Sequence, residues 1–147
     1  SATDADRVPA AIYSSWPLEQ QAGLHAKHLG REMRTEAAKA RSVDSVLAEL
    51  GGRRVQLVKL DVDGFECDVL RGARNMLSKM RPLFVMEIAP YVLVERGASL
   101  EEFLSFFVPN GYRFYDERTE QPLPSTAPEL SRMIGDGAGI NVIARAA

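Results

Sequence analysis

Three carboxylates crowd the end of the segment VKLDVDGFE (58–66), at Asp61, Asp63 and Glu66, and a fourth, Glu87, stands near the end of the segment LFVMEI (83–88). Carboxylates gathered in a crevice can accept hydrogen bonds from the hydroxyl or amino groups of a ligand. One whose pKa is raised can also take the proton of an acceptor hydroxyl as a general base. Asp61 and Glu87 each interrupt an apolar run, where an unpaired charge is costly. They are therefore the candidate catalytic residues. Asp63-Gly64-Phe65-Glu66 has a plainer explanation. It fits a capping box in which Asp63 replaces the usual Ser or Thr and caps a helix, while Glu66 reaches back. For that pair capping is favoured over chemistry.

The surrounding pattern says what must position these acids. Residues 55–62 form a mostly apolar run of strand length, the pattern of a sheet buried on both faces. Phe65, Val69, Ala73, Met76, Leu77 and Met80 fall on one helical face, and Pro82 stops that helix. Residues 83–88 form a second apolar strand. Strand, helix, strand within residues 55–88 is a βαβ unit, so the two strands should run parallel. Ligands of open parallel sheets bind beyond the carboxyl ends of the strands. Asp61, Asp63 and Glu87 should therefore face a common crevice, with Tyr91 at its mouth.

Ser42 is a plausible N-cap for a helix with Val43, Val46, Leu47 and Leu50 inward, ended by Gly51. Ser99-Leu100-Glu101-Glu102 is a second capping box, before a helix that ends at Asn110-Gly111. Strands follow at 112–117 and 140–146, with a short helix at 128–134 between them, and with no long crossover these two strands should pair antiparallel. The fold class is α/β. Residues 1–41 read as an N-terminal strand and loop extension, with a short strand at 10–15 stopped by Trp16-Pro17 and an irregular strand near 31–35. Residues 42–147 read as the α/β domain proper.

Composition narrows the function. The net charge of −2 points to neither a nucleic-acid nor an anionic-membrane surface. No apolar run approaches the roughly 20 residues of a membrane helix. The absence of a signal peptide and the single cysteine, Cys67, fit a cytoplasmic setting. Cys67 reads as a small helix residue rather than an activated thiol. His25 and His28 lie in a polar loop without further ligands at metal-site spacing, so no metal is expected there. They read as solvated histidines, with acceptor binding as the functional alternative. Tyr13 and Trp16 read as packing anchors.

The run Lys59-Leu60-Asp61-Val62-Asp63-Gly64-Phe65-Glu66, followed by Val69-Leu70-Arg71-Gly72-Ala73, resembles the FkbM family of S-adenosylmethionine-dependent methyltransferases. Arg81-Pro82, the strand ending in Glu87 and the segment 42–47 also match. Asp63 stands where the family usually has Glu. The resemblance implies a partial Rossmann-like methyltransferase sheet and methyl transfer to a hydroxyl of a sugar or natural product. Within that reading Asp61, Asp63 and Gly64 are the candidates on the cofactor side and Asp61 and Glu87 the candidates at the reaction, while His25, His28 and Tyr91, from their own place in the chain, are candidates toward a small-molecule acceptor. Family members also carry an upstream glycine-rich donor loop. Gly135-Asp136-Gly137-Ala138-Gly139 precedes the last strand and opens no helix, so it is not that loop. The chain thus resembles a C-terminal half, and a start at Ser1-Ala2-Thr3 leaves room for an earlier beginning. The strand at 55–62 would then have an open edge, which predicts either a homodimer or cover from residues 10–15. The competing class is a non-catalytic remnant or interaction module that dimerises through this edge. A more distant alternative is a magnesium-dependent haloacid-dehalogenase-like phosphatase, with Asp61 as nucleophile, Asp63 as acid/base and Asp136 as the late acid.

Overall fold

The computed structural model of the chain describes residues 11–14, 22, 31–35 and 39–147. Two strands near the start, β1 (Ala11–Ser14) and β2 (Arg31–Arg34), pair antiparallel as a sheet of their own. The main body follows as α1 (Val43–Glu49), β3 (Leu57–Leu60), α2 (Glu66–Arg71), a π-helical turn (Met76–Met80), β4 (Leu83–Ile88), α3 (Pro90–Glu95), α4 (Leu100–Phe107), β5 (Tyr112–Asp116), α5 (Ala127–Ile134) and β6 (Ile140–Ala146). The main sheet has the order β3-β4-β6-β5. β3 and β4 are parallel, with Leu60 opposite Met86. β6 enters between β4 and β5, antiparallel to both, with Glu87 opposite Asn141 and Phe114 opposite Ala144. This is the mixed α/β sheet expected of a partial Rossmann-like methyltransferase fold.

One face of the sheet carries the core. Leu60, Phe84, Met86, Ile88, Val142 and Phe114 are buried there, together with Leu70, Leu77, Phe103 and Phe107 from the helical segments. Phe107 is the hub. Its ring meets Phe84, Tyr112 and Phe114 edge-on, with centroids 5.1, 5.4 and 5.6 Å away. Each such buried side chain contributes about 1.5–3 kcal/mol by removal from water. Tyr112 stays in this core because its hydroxyl donates to Pro82 O at 3.0 Å. Burial pushes its pKa up to about 12.

The other face corrects the sequence expectation for 55–62. Only Leu57–Leu60 pair as strand, and Leu57 is 58% exposed with Lys59 beside it. A half-buried strand alternates. Here the apolar run hides that alternation because Leu57 is outward and Leu60 inward. The expected helix from Phe65 to Met80 is also broken. Gly72 ends α2, and its carbonyl accepts the Asp44 N–H at 2.9 Å. Asp44 then accepts from the N–H groups of Asn75 at 2.8 Å and Met76 at 3.0 Å, which starts the second stretch. The serine caps are as expected: Ser42 accepts from Ser45 N and Ser99 from Glu102 N, each at 3.1 Å. Residues 11–14 pair with β2 and not with β3. Among the described residues β4 is the only neighbour of β3.

Candidate functional site

The turn after β3 is built from Val62-Asp63-Gly64-Phe65, closed by Phe65 N–H donating to Val62 O at 3.1 Å. Asp63 and Gly64 both have positive φ, 49° and 92°. This is the backbone that favours an Asp-Gly pair, since Asp is one of the few side chains that tolerates the left-handed region. Asp63 therefore does not cap α2, as the capping box predicted. The helix starts at Phe65 without a side-chain cap. Glu66 does reach back, and it accepts from Gly64 N at 3.3 Å and Val62 N at 3.4 Å while only 8% exposed. Burial raises its pKa despite those donors.

Gly64 has a second reason to be glycine. A Cβ there would lie 2.8 Å from both Val92 O and Val92 Cγ1. Helix α3 thus rests directly on the turn, and Arg96 at its end places its guanidinium 4.7 Å from the Phe65 ring centre. α3 was not foreseen from the sequence. Pro90 at its first turn was the available signal.

Between turn, strand end and α3 opens a cavity of about 170 Å³, lined among others by Asp63, Glu66, Glu87, Tyr91 and Phe103. Glu87 reaches it from the end of β4. Partial burial, then the charges of Asp61 and Asp63, push its pKa above the ordinary carboxylate value. Space for this carboxylate is made by Gly139, just before β6, where any Cβ would overlap Glu87 Oε1. Sequence reasoning missed Gly139 because its meaning depends on the β4–β6 register. Asp61 lies outside the cavity lining, half exposed and bonded to Lys59 Nζ at 2.6 Å. The expectation of an unpaired charge in an apolar run is thus corrected for Asp61 by its ion pair. For Glu87 it is corrected by a position at the sheet's end, where the residue is largely exposed and its carboxylate only partly desolvated.

Tyr91 forms a wall shared with a second, larger hollow of about 530 Å³, between α3 and the loop after α5. Burial and the charges of Glu87, Glu95 and Asp63 raise the Tyr91 pKa, so its phenol remains a hydrogen-bond donor. His25, His28 and Trp16 lie outside the described residues, as does the side chain of Tyr13. Cys67 is buried, and burial pushes its thiol up to about 12, which removes it as a nucleophile. Asp136 lines the second hollow and Asp61 lines neither, so the two acids of the phosphatase alternative do not share a cavity. Among the described residues no three His, Cys, Asp or Glu side chains are grouped to hold a metal ion. No helix among them is long and apolar enough to cross a membrane.

Compared with known families, the chain matches the methyltransferase FkbM domain over residues 4–114, well over half its length. Neither the curated proteins nor the solved structures gave a significant match.

Proposed function

Because the chain belongs to the family of FkbM methyltransferase domains, we propose that it moves a methyl group from S-adenosylmethionine to a hydroxyl oxygen of a sugar or other small natural product. The observation that carries this is the meeting of Asp63, Glu87 and Tyr91 around one cavity at the carboxyl end of the β3–β4 pair. Open α/β sheets bind ligands at that place.

The acids suit the hydroxyl and ammonium groups of the donor. The cavity of about 170 Å³ is smaller than the roughly 300 Å³ at which small-molecule sites begin, so it would hold only part of that donor. When bound, S-adenosylmethionine supplies an electrophilic methyl carbon and departs as a neutral thioether. Asp61, Asp63 and the Gly64 backbone would hold the donor side. Glu87 would accept the acceptor's hydroxyl proton as the new C–O bond forms, and its raised pKa improves the match to that task. Tyr91 would donate to the acceptor oxygen and fix its line of approach. In-line placement supplies most of the rate in such a transfer.

Calorimetric titration with S-adenosylhomocysteine tests this. Saturable binding is expected. Asp63→Ala should weaken it about tenfold, the loss of roughly one good charge-assisted hydrogen bond. Glu87→Gln should leave binding nearly unchanged while lowering turnover roughly 100-fold or more. Absence of binding up to millimolar ligand would overturn the proposal.

One observation favours a second, non-catalytic role. The outer edge of β3 has no partner among the described residues, and Leu57 is 58% exposed beside it. Such an edge takes up another strand. Pairing with a second copy would make the chain a homodimer, which sedimentation detects directly.

A further inference from the structure

We infer that Arg96 is a positioning residue of this site: it clasps the Asp63–Phe65 turn, which carries the donor-side acid, to α3, which carries Tyr91. The inference rests on the methyltransferase proposal and adds to that same site a residue that does not line its cavity.

The grip falls on one peptide unit. The bond between Asp63 and Gly64 is the centre of a turn whose two middle residues both have positive φ, the type I′ form. Its carbonyl, Asp63 O, accepts from Arg96 Nε at 3.4 Å. Its N–H, on Gly64, donates to Glu66 Oε1 at 3.3 Å. The peptide is thus held at both ends, from the start of α2 and from the end of α3. Asp63 is an L-residue in the left-handed region, a conformation that persists where its surroundings over-determine it. Arg96 supplies part of those surroundings. Its guanidinium lies 4.7 Å from the Phe65 ring centre. Its Cγ and Val92 Cγ1 fill the space in which a Gly64 Cβ would stand, 2.7 and 2.8 Å from that point.

The helix needs this fastening. α3 has six residues, too few to hold a helix by themselves. Leu93 buries it in the core, and Val92 and Arg96 fasten it to the turn. Turn and helix therefore form one piece. Asp63 lines the cavity from that turn and Tyr91 from that helix, so their registration depends on Arg96. In a transfer whose rate depends on in-line placement, a displacement of about 1 Å costs on the order of 100-fold. Arg96 thus acts on the reaction through Asp63 and Tyr91, without touching a reacting atom.

Arg96→Met tests this in the full chain. Methionine keeps an unbranched apolar stem over Gly64 and removes both the Nε donor and the stacked cation. The spectroscopic readout is the NOE between the amide and Hα protons of Asp63, which is strong in the left-handed region because those protons are close. It should weaken in the variant. The binding readout is a double-mutant cycle with S-adenosylhomocysteine and Asp63→Asn, since Asn tolerates positive φ and the change removes only the charge. Alone, Asp63→Asn should weaken binding about tenfold. With Arg96→Met present it should weaken binding by less than about threefold, because the acid is already out of place. A purely structural Arg96 would lower the urea midpoint and leave both readouts unmoved. An undiminished Asp63 NOE, or a full tenfold effect of Asp63→Asn in the Arg96→Met background, would each overturn the inference. Either result with S-adenosylhomocysteine bound by the parent chain sinks the positioning role alone. A weakened NOE without such binding supports the clasp and sinks the methyl-donor proposal.

Discussion

Gly139 and Glu66 show how single residues shape this site without touching a reacting atom. Gly139→Ala would put a methyl group where the Glu87 carboxylate now lies. The carboxylate is the free end of a flexible side chain, so it can move aside at little cost to folding. The expected outcome is a melting temperature within a few degrees of the parent, about 1 kcal/mol or less, together with a displaced Glu87 carboxyl signal in carbon-detected NMR and slower methyl transfer. A large loss of stability would show that Glu87 is locked in place. Glu66 gives a pH-dependent prediction. Burial raises its folded pKa above the ordinary 4.5. As pH rises the unfolded chain ionises first, so the associated stability is complete below the ordinary value and is lost as pH passes the raised one. Glu66→Gln keeps an acceptor for Gly64 and Val62 N–H but carries no charge. Its urea midpoint should lose that decline with pH. Glu66→Ala leaves both donors without their acceptor and should cost about 1–3 kcal/mol. The acids themselves were visible in the sequence as chemistry-bearing residues. Their division of labour was not, because the left-handed conformation of Asp63 and the burial of Glu66 are properties of the assembled turn.

At the scale of elements, local signals were legible and tertiary ones were not. Ser42 and Ser99 cap the helices that their sequences announce, since a cap needs only residues within one turn. The parallel β3–β4 pair followed from strand, helix, strand spacing alone. The break between α2 and the π-helical turn did not, because its cause is Asp44, some 30 residues earlier. Asp44 satisfies two N–H groups at the start of the second stretch while its own N–H is held by Gly72 O. Asp44→Ala should therefore loosen the turn from Gly72 to Met80 and cost about 0.5–2 kcal/mol, the usual loss for a helix cap. Hydrogen exchange at Asn75 and Met76 should accelerate selectively. Uniform acceleration across the sheet would contradict this local role. α3 was missed for a similar reason. Its six residues carry little periodicity, and it is held by the close approach to Gly64 that only glycine permits.

For the whole molecule, the α/β class and the antiparallel final pair could be read from element order. That helices cover one face of the sheet could not, because the apolar run at 55–62 looks the same whether one face or two are covered. The exposed Leu57 and the edge of β3, unpaired among the described residues, give the prediction at this scale. If a second copy pairs there, Leu57→Lys should shift sedimentation from dimer to monomer, since charged side chains discourage strand pairing at an edge. A parent chain that is already monomeric would remove the dimer from consideration. The strand order has a further consequence for how the protein comes to exist. Among the described strands β4 and β5 are joined through β6, which follows both in the chain, and Gly139 that shapes the Glu87 pocket sits at its entrance. During synthesis the helices and the β3–β4 pair can gather as they emerge, yet β5 has no place in the sheet until the ribosome has released residues 140–146. Joining of β5 to the sheet and completion of the site are thus a single event, and a nascent chain arrested just before that point should carry its acids without the pocket that arranges them.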